Sequence, residues 1–129
     1  MANGKIKADT LEHSTAGSLD TQYVVKGSAK AWVNFNMSGT AAIVKSFNIS
    51  GLVDGGTGTA TNSFVASFSD ADYCQTIGGD YSKTTSQNGI YLPTNVTLAT
   101  GSLGTQTVWY NGTLQDNNYN TWSLMGDLA

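Results

Sequence analysis

The stretch that decides the fold is SAKAWVNFNMSGTAAIVKSFNIS, which runs from Ser28 to Ser50. Its first half alternates between two sets of residues, with Ala29, Ala31, Val33 and Phe35 on one face and Lys30, Trp32, Asn34 and Asn36 on the other. Its second half alternates in the same way, with Ile43, Lys45, Phe47 and Ile49 against Val44, Ser46, Asn48 and Ser50. A period of two residues is that of a half-buried strand, and Ser38-Gly39-Thr40 supplies a turn between the halves. The stretch therefore predicts a β-hairpin.

The same signals recur along the rest of the chain. A glycine-rich turn over residues 54–58 predicts a second hairpin, whose return strand runs from Thr59 to Phe68. Some eight or nine short strands at intervals of about 8 to 12 residues are typical of a β-sandwich. The sequence therefore predicts an all-β, antiparallel β-sandwich of jelly-roll-like type over residues 23–129, with almost no helix. The expected centre of its core is Phe35, Phe47, Ile49, Phe64 and Phe68.

Three local predictions complete the picture of this domain. Tyr23-Val24-Val25 is expected to form a short strand, because its residues favour strands. Cys74 lies within an expected strand from Tyr73 to Ile77 and is interpreted as a small buried core residue. Residues 78–89 are polar and bounded by glycines, which predicts a long loop.

Residues 1–22 show neither strand nor helix periodicity and are interpreted as an extended N-terminal arm. Ile6, Leu11 and Leu19 are too sparse for one face of a helix, and Gly17-Ser18 interrupts any continuation. Such an arm is either disordered or ordered against a partner, and both alternatives stay open on the sequence.

The composition argues against nucleic-acid and membrane partners. Charged residues make up 12% of the chain, the net charge is -3, and all six basic residues are lysine. Nucleic-acid binders gather basic residues on one face and use arginine for bidentate contacts, so no nucleic-acid partner is expected. No segment approaches the ~20 apolar residues of a membrane span, and no apolar run follows the N-terminus as in a signal peptide. We expect synthesis in the cytoplasm and no membrane insertion.

The titratable residues do not form a recognisable catalytic motif, which predicts a protein that is not an enzyme. His13 is the sole histidine and lies in the unpatterned arm. The aspartates that a glycosidase or a calcium site would need are interpreted as turn residues; they are Asp54, Asp70, Asp72 and Asp80. A single cysteine excludes a disulfide within the chain and a cysteine-based zinc site. We therefore expect no cofactor and no metal.

Aromatic residues among neutral polar ones are the remaining functional signal, because such rings hold sugar faces or other subunits. The candidate ligand contacts are Tyr81, Tyr91, Trp109 and Tyr110. Trp32 projects from the polar side of its strand together with Lys30, so these two residues are the candidate subunit interface.

The chain resembles a small β-module of tail-fibre and other virion-surface proteins of marine and cyanobacterial bacteriophages. The matching segments occur in the family's order and are GSAKAWVNFN (27–36), the turn Gly39-Thr40, SFNIS (46–50), Asp54-Gly55 with Gly58, and DADY (70–73). The closing segment TWSLMG (121–126) is similar to the apolar strand and glycine that end the module. Residues 78–115 follow no pattern of the family, so the resemblance covers roughly half to two-thirds of the chain.

This resemblance implies a non-enzymatic structural protein of the virion, of tail-fibre, head-fibre or capsid-decoration type. It implies a homotrimer, since such fibres are threefold, with a contribution to attachment at the host surface and possible contact with a surface glycan. The arm would then connect the protein to other virion proteins. The alternative is a free-standing carbohydrate-binding, lectin-like module or a glycan hydrolase domain.

Overall fold

The computed structural model describes residue 4 and residues 7–79, 81–82, 86–91, 98–109 and 111–129, with backbone alone at 79, 81–82 and 86–91. Among the described residues, 53% lie in strands, all paired antiparallel, and one short helix is present. The prediction of an all-β antiparallel sandwich is confirmed.

The described elements follow one another as strands with a single helix near the N-terminus. In chain order they are β1 Thr10–His13, β2 Gly17–Asp20, α1 Thr21–Gly27, β3 Ala31–Asn36, β4 Ala42–Phe47, β5 Ile49–Asp54, β6 Thr59–Phe64, β7 Cys74–Gly79, β8 Tyr81–Ser82, β9 Ser86–Tyr91, β10 Ser102–Trp109 and β11 Asn120–Met125. Strands β1 and β2 form a small hairpin of their own. The others form a four-stranded sheet of order β4-β3-β11-β7 and a five-stranded sheet of order β5-β6-β10-β9-β8.

The organising hairpin predicted from residues 28–50 is present as β3 and β4, with Gly39 in the turn at a φ of 76°. The chain departs from the prediction at Asn48, where φ is 59° and the strand ends. Ile49 then begins β5, which belongs to the other sheet. The amide of Asn48 replaces the lost strand pairing, since its Nδ2 donates to the carbonyl of Ala66 at 2.9 Å and its Oδ1 accepts from the N–H of Ala66 at 2.7 Å. Asn48 is thus the corner between the sheets, in a conformation that asparagine tolerates better than most residues.

The second departure concerns Phe47, which was expected in the core but is 54% exposed. A β-bulge is the cause: Asn34 pairs with Lys45 and Phe35 pairs with Ile43, so Val44 is an extra residue without a partner. An extra residue reverses the alternation of a strand beyond it. Ile43 therefore packs against the core, while Phe47 points to the outside of the four-stranded sheet.

The core lies between the two sheets and is aromatic at its centre. Phe35, Phe64 and Phe68 are buried as predicted, and Ile49 is partly buried against them. The remaining buried apolar residues are Ala31, Val33, Met37, Ala60, Tyr73, Leu103, Trp122 and Leu124. Phe64 packs edge-to-face on Phe68 with ring centroids 5.3 Å apart and on Trp122 at 6.2 Å, which is the favoured geometry for aromatic pairs.

A polar contact also joins the two layers in the interior. The hydroxyl of Thr107, from β10, lies 3.2 Å from Oδ1 of the buried Asn120 of β11. The Nδ2 of Asn120 donates to the carbonyls of Phe35 at 3.3 Å and of Asn117 at 3.0 Å. Both ends of this amide are therefore satisfied, as a buried amide requires.

Three local predictions are wrong. Tyr23-Val24-Val25 lies in α1, not in a strand. Hydrogen bonds are made at both ends of this helix: the N–H of Thr21 donates to the carbonyl of Asp9 at 2.8 Å, and the N–H of Ser28 donates to the carbonyl of Val24 at 3.2 Å. Cys74 is exposed, because its neighbour Tyr73 takes the inward position. The predicted loop 78–89 instead contributes to β7, β8 and β9.

Candidate binding face

The candidate site is the outer face of the four-stranded sheet. Since successive residues of a strand point to opposite sides, the residues between the buried ones of β3 and β11 face away from the core. They form two rows across the sheet, Phe47-Trp32-Ser123-Thr76 and Lys45-Asn34-Thr121-Gly78. We refer to these eight residues as the outer face.

The outer face contains a shallow open depression of about 350 Å³. It is lined by Trp32, Val33, Asn34, Thr76, Ile77, Gly78, Thr121, Trp122 and Ser123. Gly78 gives the depression its depth, because a Cβ at this position would lie 2.8 Å from Oγ1 of Thr121. The same hydroxyl donates to the carbonyl of Gly78 at 3.2 Å. The side chain of Thr121 thus occupies the place that any larger residue at position 78 would need.

Two aromatic rings dominate one end of the outer face. Trp32 and Phe47 are directly opposite each other on β3 and β4, and they are 39% and 54% exposed. Their neighbours are hydroxyl and amide groups, and Lys45 is the sole charged residue in the four strands. Exposed apolar rings rimmed by neutral polar groups are typical of an interaction surface.

The amide oxygen of Asn34, on the outer face, is a buried acceptor. Oδ1 of Asn34 is buried yet has no hydrogen-bond partner among the described residues. A buried acceptor without a partner costs free energy, so this atom would gain from a donor brought by a bound group or by water.

Lys30, a predicted interface residue, lies at the margin of the outer face and contacts its own chain. Its ammonium donates to the carbonyl of Val25, to the carbonyl of Ser28 at 3.1 Å and to Oγ of Ser28 at 2.7 Å. Cations at a helix C-terminus are favourable because of the carbonyls exposed there. Lys30 therefore fastens the end of α1 to the start of β3, next to Trp32.

Three of the four predicted ligand contacts belong to strands of the other sheet. Trp109 is half-buried at the end of β10, and its indole N–H is buried without a hydrogen-bond partner in the described part of the chain. The backbone of Tyr91 pairs with Gln106 of β10, and that of Tyr81 pairs with Gln87 of β9. Tyr110 lies outside the described residues. The structure thus assigns Trp109, Tyr81 and Tyr91 to the five-stranded sheet and Trp32 to the four-stranded one.

His13, Asp54 and Asp70 each accept hydrogen bonds from backbone N–H groups of a turn. Nδ1 of His13 accepts from the N–H groups of Thr15 at 3.3 Å and Ala16 at 3.2 Å, which holds the turn between β1 and β2. Oδ1 of Asp54 accepts from the N–H of Gly56 at 2.8 Å, and Oδ1 of Asp70 from that of Asp72 at 2.9 Å. The prediction of turn roles for Asp54 and Asp70 is confirmed, whereas Asp80 lies outside the described residues.

Two further features bear on function: possible metal-binding clusters and possible membrane-spanning helices. Across the ranges that the structure describes, no three His, Cys, Asp or Glu side chains come together in a way that could hold a metal ion. No helix in this part of the chain is long and apolar enough to cross a membrane.

Sequence reasoning found Trp32 but missed the residues that surround it. Phe47 was missed because the bulge that turns it outward has no signature in the alternation itself. Thr76, Thr121 and Ser123 could be assigned to polar strand faces, but β7 and β11 are brought beside β3 only by the strand order.

No family model, no curated protein and no solved structure matches this chain.

Proposed function

We propose that this protein is a non-enzymatic structural protein of a bacteriophage virion, of tail-fibre, head-fibre or decoration type. It works as a homotrimer and contributes to attachment at the host surface. The observation that carries the assembly part of this proposal is the exposed pair Trp32 and Phe47 on the outer face. The virion part rests on the sequence resemblance that begins in the same strand.

Burial of the outer face between subunits is favourable on energetic grounds. Fully burying one large apolar side chain contributes about 1.5–3 kcal/mol, and two adjacent rings are half-exposed here. Lys45 is the sole charge in the four strands, so few ions must be desolvated when the sheet is covered.

The oligomeric state tests the assembly part. We expect light scattering of the purified chain to give three times the mass of one chain, and Trp32→Glu to give the monomer, because it places a charge in the contact. Val53→Glu is the matched control, since Val53 is 59% exposed but lies on β5 of the other sheet. A wild-type chain that stays monomeric at tens of micromolar concentration would contradict the trimer.

The composition of particles tests the virion part. We expect mass spectrometry of purified phage particles from the source of this gene to detect the chain at a constant ratio to the major capsid protein. Its presence in the infected-cell lysate but not in washed particles would contradict the proposal.

A glycan-binding module is the second candidate, and one observation favours it. The outer face presents an indole ring next to the hydroxyls of Ser123, Thr76 and Thr121 and the amide of Asn34, which is suitable chemistry for a neutral sugar. In that case the monomer would bind polysaccharide, Trp32→Ala would abolish binding, and the mass of the protein would not change. Release of new reducing ends from the polysaccharide would instead identify a hydrolase.

A further inference from the structure

The N-terminal part of the described structure exposes its apolar residues. We call residues 8–27 the hairpin-helix segment, because they comprise β1, β2 and α1. None of the residues of α1 is buried, and both strands are exposed along their whole length. The large apolar residues of the segment are Leu11, Leu19, Tyr23, Val24 and Val25, each at least 41% exposed.

These apolar residues are gathered by polar contacts within the segment. The hydroxyl and the N–H of Thr21 both lie 2.8 Å from carbonyls at the start of the segment, those of Ala8 and Asp9 respectively. This brings α1 against β1, so that Leu11, Val24 and Val25 line one depression of about 290 Å³. Leu19 is the direct cross-strand partner of Leu11 and so lies on the same side of the hairpin.

A unit of this size needs a covering surface. A two-stranded hairpin in water is marginal on its own, and an isolated helix below about 12–15 residues is marginal as well. α1 has 7 residues, and each strand of the hairpin has 4. Burial of its apolar side against another surface would supply the missing stabilisation.

The charges of the segment identify a suitable surface. The hairpin-helix segment carries three acidic residues, Asp9, Glu12 and Asp20, against one basic residue, Lys26. The outer face carries no acidic residue and one lysine, Lys45, with Lys30 at its margin. The segment is therefore acidic in net charge and the outer face basic, and both surfaces are apolar at their centres, which favours their association.

We propose that the hairpin-helix segment of each chain packs its apolar side on the outer face of a second copy, over Trp32 and Phe47. This rests on the proposed trimer and names what covers its interface. The contact is head-to-tail, and such contacts generate a closed ring when the rotation between copies closes, which a trimer requires to be about 120°. The bonds of Lys30 to Val25 and Ser28 fix the end of α1 beside its own β3, which orients the segment before association. The partner of this segment is accordingly another copy rather than a different virion protein.

Disulfide trapping between two forms of the full chain tests this contact. The donor carries Leu19→Cys with Cys74→Ser, and the acceptor is a mass-tagged chain with its native Cys74, which is exposed on β7 beside Thr76. A second acceptor carries Thr76→Cys with Cys74→Ser, within the outer face itself. After mixing and mild oxidation we expect a donor-acceptor disulfide with at least one acceptor. The control donor carries Val53→Cys with Cys74→Ser and should give background only.

The outcomes separate this inference from the proposed trimer. A disulfide between the two forms supports the arrangement. A trimer without any such disulfide overturns the inference but leaves the trimer intact, and a monomer overturns both. A Leu19→Cys chain that keeps its native Cys74 and forms a disulfide between these two cysteines within one chain would also overturn it. So would a disulfide between the donor and a different protein in assembled particles.

Charge exchange provides a second measurement that needs no cysteine. Asp9 is two residues before Leu11 and so belongs to the apolar side of the hairpin. Asp9→Lys and Lys45→Glu should each weaken the trimer about two- to five-fold in dissociation constant, as expected for exposed ion pairs. The double variant should recover most of the loss because the signs again oppose. Additive weakening in the double variant would contradict the proposed contact.

Discussion

Two leucines of this chain lie in opposite surroundings: Leu124 of β11 is 0% exposed, and Leu19 of β2 is 48% exposed. The difference follows from architecture, since an apolar strand face is buried only when a second layer lies on it. In the sandwich each sheet is the second layer of the other. The hairpin-helix segment has no such layer within the described chain, so the same residue type stabilises the fold in one region and remains available for association in the other.

The largest expected effect separates these two regions by one matched substitution. Leu124→Ala should lower the free energy of unfolding by about 3 kcal/mol, because it leaves a cavity in a packed core. Leu19→Ala should change it by less than about 0.5 kcal/mol. Urea denaturation, at concentrations where light scattering shows a monomer, measures both. Equal losses would mean that Leu19 is buried against its own sandwich.

A smaller effect is expected at the corner where the chain passes between the sheets. Asn48→Ala should cost about 2 kcal/mol, since it removes both contacts with Ala66 and places alanine at a positive φ. Asn48→Gly keeps the backbone conformation available and should cost about 1 kcal/mol. The same denaturation curves provide the measurement, and a glycine variant less stable than the alanine variant would contradict this account of the corner.

The smallest effect concerns Tyr73, which closes the end of the core. Burial raises the pKa of its phenol above the ordinary value of 10.0, and its hydroxyl lies 3.2 Å from the carbonyl of Ala99. A group whose pKa is raised on folding contributes stability that is present below pH 10 and is lost as pH rises through the folded pKa. Tyr73→Phe should therefore cost about 1 kcal/mol at neutral pH, and the difference should narrow in alkaline solution. Thermal unfolding from pH 7 to 11 measures this, with Tyr119→Phe, at an exposed position, as the control.

The sequence alone predicts those parts of the fold that depend on local alternation. The first hairpin, the glycine turn at Gly39 and the buried positions Phe35 and Phe64 follow from a period of two residues. The return strand predicted from Thr59 to Phe68 is shorter, since β6 ends at Phe64 and Ala66 is exposed, so Phe68 is buried as expected but not as part of that alternation. Phe47 does not, because its direction depends on an extra residue, Val44, whose lack of a partner is a property of the pair β3 and β4. The sequence did not predict α1 because its residues favour strands, whereas hydrogen bonds at its two ends stabilise the helix.

The candidate site was predictable only in part for a similar reason. Trp32 is found from sequence since an indole on the polar side of a strand is conspicuous. The assembly of Trp32 with Thr76 and Ser123 depends on β11 lying between β3 and β7, which joins residues more than 40 positions apart. Such long-range pairing leaves no trace in a local pattern.

The bulge at Val44 also affects how copies of this protein meet in concentrated solution. β4 is an edge of its sheet, and a regular edge strand exposes a row of N–H and C=O groups that another chain can extend into a fibril. The extra residue interrupts that row in the middle of β4, and the exposed Lys45 follows it directly. The chain is thereby protected from open-ended growth along this edge when many copies are close together.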